Sequence, residues 1–151
     1  MSVAASATPD LVATATLSIE TQGEGFIEFT REAREFIAQL SAADGALFAF
    51  VRHTSASLTI QENADPDVRV DLTNALWRLA PEDEAWVHTV EGPDDMPSHV
   101  KAMLTGVSLH VPVIGGELAL GTWQGLYLIE HRARAHRREV VLQFLGSRGG
   151  V

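Results

Sequence analysis

LVATATLSIE, residues 11–20, places apolar side chains at every second position: Leu11, Ala13, Ala15, Leu17 and Ile19 lie on one face. Thr14, Thr16, Ser18 and Glu20 occupy the other. A period of two marks a strand buried on one side and wet on the other. The alternation returns in Val107, Leu109, Val111 and Val113 up to the Gly115-Gly116 turn, from which Glu117 to Leu120 run back. Ala46 to Arg52 is a nearly continuous apolar run suited to a central strand, and Leu58 and Ile60 resume the pairing after His53-Thr54-Ser55. Trp123 to Ile129 and Glu139 to Leu145 read as a further hairpin around an Arg-rich loop.

Helical spacing is confined to three short stretches. Gln22-Gly23-Glu24-Gly25 reads as a turn, after which Thr30 is placed to cap a helix with Ala33, Phe36, Ile37 and Leu40 on one face. Ala43-Asp44-Gly45 ends it. Asp65-Pro66, a capping residue followed by proline, opens a second helix with Val68, Leu72, Leu76 and Leu79 aligned and Pro81 at its exit. Pro97 opens a third, through Leu104, with Gly106 as its stop. The expected class is therefore α+β and rich in strand: two packed antiparallel sheets with two or three short helices at their margins. Residues 1–10 read as a flexible tail and 11–151 as a single domain.

Composition narrows the function classes. The 151 residues include 46% hydrophobic side chains spread along the chain, which excludes a disordered chain. No apolar run reaches the ~18 residues of a membrane span, and no signal peptide is visible, so a cytoplasmic location is expected. Without cysteine there is no disulfide, thiolate metal site or cysteine nucleophile. A net charge of −9 argues against nucleic acid, whose binding needs a cationic face. Four of the ten arginines lie between His131 and Arg138; they suit either a small phosphorylated ligand or a solvated hairpin loop.

Three polar constellations are candidates for chemistry. In HTVEGPDDMPSH, residues 88–99, two imidazoles and three carboxylates fall together. A helix opening at Met96 or Pro97 puts Asp95 and His99, four apart, on one side of its first turn. With His88 they form a ligand set suited to Zn, Mn or Mg; alternatively, Asp95 orients a histidine for proton transfer. The same residues fit an acidic turn in which Asp94 or Asp95 caps the helix. At Arg52-His53-Thr54-Ser55, a charged pair and small hydroxyls end an apolar strand, where His53 serves as ligand or base and Thr54 and Ser55 as donors to phosphate. Glu62, Asn63 and Asp65 follow as further polar positions or as a plain loop and cap. In GTWQG, residues 121–125, Trp123 suits ring stacking and Gln124 a polar edge, although such a Trp also suits a core or interface. Glu130 and His131 close the next strand, and His110 alternates outward on its own. No P-loop, nucleophile elbow or dinucleotide fingerprint occurs, and no organic cofactor is expected.

Together HTSASLTIQENADPDV, EGPDDMPSHVKAMLTG and VPVIGGELALGTWQGLYLIEHR resemble the YjbQ-like family of secondary thiamine-phosphate synthases over roughly residues 11–146. The resemblance implies a jelly-roll-like two-sheet domain that assembles as a homotrimer. It also implies condensation of a hydroxymethylpyrimidine diphosphate with a thiazole phosphate. Carried over, its polar positions are His53, Thr54, Ser55, Glu62, Asn63, Asp65, His88, Asp95, His99, Gln124 and Glu130. The expected roles are catalysis by His53, Asp95 and His99, and a divalent metal on His88, Asp95 and His99. Substrate contacts are expected from Thr54, Ser55, Glu62, Asn63, Trp123, Gln124 and Glu130. The expected partner is a small phosphorylated metabolite, with neither nucleic acid nor membrane. A phosphohydrolase using the same cluster and a non-catalytic metabolite-binding trimer are the alternatives.

Overall fold

A computed structural model of the chain describes residues 6–149. The elements run β1 (Leu11–Glu20), β2 (Gly25–Glu28), α1 (Thr30–Gln39), β3 (Ala42–Val51), β4 (Ala56–Glu62), α2 (Pro66–Leu79), α3 (Asp95–Thr105), β5 (Ser108–Ile114), β6 (Glu117–Leu118), β7 (Gln124–Glu130) and β8 (Arg137–Arg148). They build a five-stranded sheet in the order β1-β8-β3-β5-β6 and a three-stranded sheet in the order β2-β7-β4. Every pairing is antiparallel. The expected α+β class with two packed sheets is the architecture found.

The core lies between the sheets. Leu47, Val51, Val140, Leu142 and Phe144 from the larger sheet meet Leu58, Leu126 and Leu128 from the smaller, and α1 adds Ala33 and Ile37. Each fully buried side chain of this kind contributes about 1.5–3 kcal/mol against exposure. Alternation in β1 holds as read, with the Leu11 to Ile19 set turned inward. In β7 nearly every residue is buried, because α3 packs against the small sheet's β4 and α2 supplies Arg69, whose guanidinium carbon lies 5.8 Å from the Tyr127 ring centre. The outer face of the large sheet leaves Val12, Phe48, Ile114 and Leu145 exposed.

Several local expectations are corrected. The largest concerns β7 and β8, which form no hairpin: β7 pairs with β2 and β4, while β8 pairs with β1 and β3. Residues 131–136 carry the chain from one sheet to the other. Thr21, just past β1, fixes the crossing by donating its amide to the His136 carbonyl (2.8 Å) and accepting the His136 amide on its hydroxyl (2.9 Å). Gly25 belongs to the short strand β2 rather than to a turn; four residues are too few to show a period.

Thr30 is the first helical residue and not the cap. Its hydroxyl donates to Glu28 Oε1 (2.7 Å) and accepts the Leu126 amide (2.8 Å), tying α1 to the small sheet. Ala43-Asp44-Gly45 lies inside β3 at a register shift, with Gly45 pressed on the Leu145 and Gly146 backbone where a Cβ has no room. Helix α3 starts at Asp95, two residues earlier than expected, which places Pro97 in its first turn, where its missing N–H costs nothing. The expected tail lies outside the described residues for 1–5, as do 150–151 of the expected domain. Asp10, in the described part of that tail, is pinned to β8: its amide donates to the Gly146 carbonyl (2.9 Å).

Candidate active site

The beginning of α3 gathers the first constellation. Asp95, 1% exposed, sits in its first turn, where the helix dipole favours a carboxylate. His99 follows one turn later, and the segment between α2 and α3 brings His88 across. His88 Nε2 is 2.7 Å from Asp95 Oδ2, His99 Nε2 is 3.4 Å from the same oxygen, and the two rings lie 5.6 Å apart. One ligand atom from each residue lies within 4.8 Å of the others. Asp95 and His99 thus share one side of the helix's first turn, as their spacing predicts, and His88 joins them from the preceding segment.

Arg132 holds the arrangement from behind. Its side chain is buried, with Nε donating to Asp94 Oδ2 (3.0 Å), Nη1 to Asp95 Oδ1 and Nη2 to the Glu91 carbonyl (2.8 Å). Burial works against an ionised Asp94, but the Arg132 hydrogen bond and the Ala133 amide outweigh it and hold that carboxyl below its ordinary value. Neither aspartate side chain caps the helix. Both are spent on the guanidinium, and only Asp95 Oδ2 is left for the histidines.

His99 Nδ1 donates to the Thr54 carbonyl (3.0 Å). In the neutral ring that bond leaves Nε2 unprotonated, so a lone pair faces the Asp95 oxygen at 3.4 Å. Two acceptors at this separation repel unless a cation or a proton lies between them. This distance is close to the ~3.3 Å expected between neighbouring ligands on tetrahedral zinc at ~2.0 Å, whereas His88 Nε2, 2.7 Å from the same oxygen, stands at hydrogen-bond distance. Two imidazoles and a carboxylate are a donor set that fits zinc or manganese, with a coordination position left open.

His99 is also shared with a cleft of about 750 Å³ between the end of β3 and α3, lined in part by Arg52, His53, Thr54, Ser55 and Arg138. His53 Nε2 accepts the Glu139 amide (3.0 Å), which puts the neutral ring's proton on Nδ1. Burial, reinforced by Arg138, holds the His53 pKa below its usual value. Ser55 Oγ accepts from Arg138 Nη2 (3.1 Å) and keeps its own proton free to donate.

The remaining expected site residues lie elsewhere. Glu130 is buried and saturated, accepting from Arg138 Nε (2.7 Å), Thr21 Oγ1 (2.9 Å) and the Arg132 amide (3.0 Å), so it faces no ligand. Burial opposes its ionisation, and these donors reverse that and lower its pKa. In the β4–β7 register, Ala56 opposes Glu130 and Glu62 opposes Gln124. Glu62, Asn63, Trp123 and Gln124 therefore stand at the far end of the small sheet, about 20 Å along the strands from Thr54. There the Asn63 amide donates to the Trp123 carbonyl (3.0 Å), and Gln124 Oε1 accepts the Gly121 amide (2.8 Å). Asp65 caps α2, accepting the Asp67 amide (2.9 Å).

The Arg-rich stretch divides: Arg134 and Arg137 are exposed, whereas Arg132 and Arg138 are buried in internal ion pairs and are not free for phosphate. His131 is enclosed, 2.8 Å from Ser57 Oγ, and burial with the Lys101 charge lowers its pKa to about 3. Spacing had no means of finding Arg132, 37 residues from Asp95. The signal for it was the Asp94-Asp95 pair, because two buried carboxylates at a helix start demand a cation.

Comparisons with known proteins agree on one family. A family model described as UPF0047 protein YjbQ-like matches residues 15–147. The chain is 47% identical over 132 residues to a Synechocystis protein described as UPF0047 protein sll1880, covering 87% of this chain and 90% of that one. It is 41% identical to UPF0047 protein YjbQ of Salmonella typhimurium, covering 87% and 96%. A crystal structure of an uncharacterised YjbQ/UPF0047 protein from Clostridium acetobutylicum superimposes with a TM-score of 0.81 at 34% identity, covering 86% and 98%. Among the described residues no helix is long and apolar enough to cross a membrane.

Proposed function

The chain belongs to the YjbQ-like UPF0047 family, and from that premise we propose that it is a metal-assisted transferase. In this reading it joins a hydroxymethylpyrimidine diphosphate to a thiazole phosphate, giving thiamine phosphate and pyrophosphate. The observation that carries the reading is the convergence of His88, Asp95 and His99 beside a cleft edged by His53, Thr54 and Ser55.

The reaction breaks the C–O bond of a benzylic-like carbon, with the electron pair leaving on pyrophosphate, and forms a C–N bond from the thiazole nitrogen. No enzyme nucleophile is required, which accords with the absence of cysteine and the enclosure of Ser57. A divalent cation, when bound, neutralises charge on the leaving group. His88, Asp95 Oδ2 and His99 Nε2 are the residues to hold it, and Arg132 fixes which carboxylate oxygen they share. His53 Nδ1–H and the Thr54 and Ser55 hydroxyls are donors for phosphate oxygens. The homotrimer is part of the same proposal, with the exposed Val12, Phe48, Ile114 and Leu145 face as its contact surface. A cytoplasmic location suits such substrates.

Incubation with both phosphorylated precursors and Mn²⁺, followed by product analysis, tests the reaction. Thiamine phosphate and pyrophosphate in equal amounts are expected. Orthophosphate without a condensed product would replace the transferase with a phosphohydrolase.

A further inference from the structure

Lys101 is the single lysine among the eleven Lys and Arg side chains, and it is buried. It lies on α3 two residues past His99, about 200° around the helix, and so on another side from the cleft that His99 lines. There it borders a second cavity, of about 330 Å³, together with Trp77, Ala80, Pro81 and Glu82. The two cavities share no lining residue. Glu24 ties two of the walls together: Oε1 accepts from Lys101 Nζ (2.8 Å) and Oε2 from the Trp77 indole N–H. Trp86 fixes a third, its indole N–H donating to the Pro81 carbonyl (2.9 Å).

An ammonium group carries three N–H donors. Among the described residues Glu24 is the one acceptor that Lys101 Nζ meets, which leaves two donors in a buried place beside an open volume. Buried donors without acceptors cost free energy, so the cavity favours an occupant that brings acceptor oxygens. A bare anion is a poor match. Glu24 already neutralises the ammonium, and Glu82, Asp83 and Glu84 follow one another in an exposed turn. A bare cation is no better, since it meets Lys101. A molecule with both charges suits both groups, and Trp77, Ala80 and Pro81 leave apolar surface for the rest of it.

We propose that this cavity binds a small zwitterion of the α-amino acid class with an apolar side chain. Its carboxylate accepts from Lys101, its ammonium pairs with Glu82, and its side chain packs on Trp77 and Pro81. The volume lies at the lower end of the range for ligand pockets and suits a molecule of that size. The site is separate from the cation trio and from the cleft at His53, and it stands whether or not the reaction proposed there does.

Calorimetric titration of the full chain with L-phenylalanine, 2-phenylethylamine and 3-phenylpropionate tests the site. L-Phenylalanine should bind at least about tenfold tighter than 2-phenylethylamine, which lacks the carboxylate for the buried Lys101. It should bind about fivefold tighter than 3-phenylpropionate, which lacks the ammonium for the exposed Glu82. Glu82→Gln, at an exposed position, should remove that fivefold advantage, and Trp77→Ala, also exposed, should weaken L-phenylalanine by about tenfold. Binding of none of the three compounds would mean that the cavity holds water alone and would overturn the proposal. Equal affinity for L-phenylalanine and either analogue would overturn the zwitterion assignment. Affinity for L-phenylalanine that survives both substitutions would place the binding elsewhere and overturn the site.

Discussion

Arg132 and Asp95 meet in a buried ion pair that takes one carboxylate oxygen out of play, so that Oδ2 alone faces His88 and His99. The pair joins the segment between the two sheets to the first turn of α3, across 37 residues of sequence. The candidate cation site thus depends on the crossing between the sheets as much as on its own three ligands.

Asp95→Asn removes the shared anionic ligand while keeping the side chain's shape. Circular dichroism should show the fold retained, with a loss of about 1–3 kcal/mol from the weakened bond to Arg132. Equilibrium dialysis should show Mn²⁺ or Zn²⁺ affinity falling by at least about tenfold, since even loss of an outer-shell partner costs about 10–100-fold. Unchanged metal affinity would remove Asp95 from the ligand set.

Arg132→Met strands two buried carboxylates. Urea denaturation at neutral pH should show a loss of about 3–5 kcal/mol, the usual cost of breaking a buried pair from one side. The deficit should shrink in acid, because the Asp94 carboxyl, which Arg132 holds below its ordinary value, takes up a proton more readily without it. A variant equally destabilised at all pH values would mean that lost packing, not stranded charge, dominates.

Acid should loosen the fold well before the carboxylates of an unfolded chain are fully protonated. His131, lowered to about 3 by burial, stays neutral in the fold, whereas the unfolded ring takes a proton near 6.5. Its contribution is complete above about pH 6.5 and is lost as pH falls towards 3, with an upper bound of about 5 kcal/mol. Asp94 and Glu130, both held low, add stability that is likewise lost on further acidification. Melting temperature measured from pH 8 to 4 should decline throughout the lower half of that range, and His131→Gln should flatten the part above pH 5. A flat wild-type profile between pH 6.5 and 5 would contradict the account.

Trp123→Ala alters the far end of the small sheet. With Gln124 opposing Glu62 and Glu130 opposing Ala56, that end is about 20 Å from Thr54 along the strands. Mn²⁺ affinity should stay within about twofold of wild type, since no ligand or ligand-holding group of the trio lies at that end. A marked loss would join the two ends functionally, through a neighbouring copy or through the sheet.

Period and punctuation carried the fold a long way. The alternation in residues 11–20 and 107–113 gave strands with the right faces, and Asp65-Pro66 gave a helix start that is capped as expected. What failed was pairing across distance. Trp123 to Ile129 and Glu139 to Leu145 are strands, but sequence proximity suggested a hairpin where the chain changes sheets. Thr21, His131, Arg132 and Arg138 hold that crossing through buried contacts distant in sequence. The trio His88, Asp95 and His99 was legible because its members are close in sequence and two share a helix face. Glu130 was misread as a ligand contact because a polar residue ending a strand looks alike whether it meets substrate or an internal arginine.

Thiamine phosphate formation from the two phosphorylated precursors, compared between wild type and His99→Ala, tests the reaction and its site together. Product is expected from the wild type and none from the variant, since His99 joins the cation ligands to the cleft. Equal product from both would contradict the site, and product from neither would contradict the reaction.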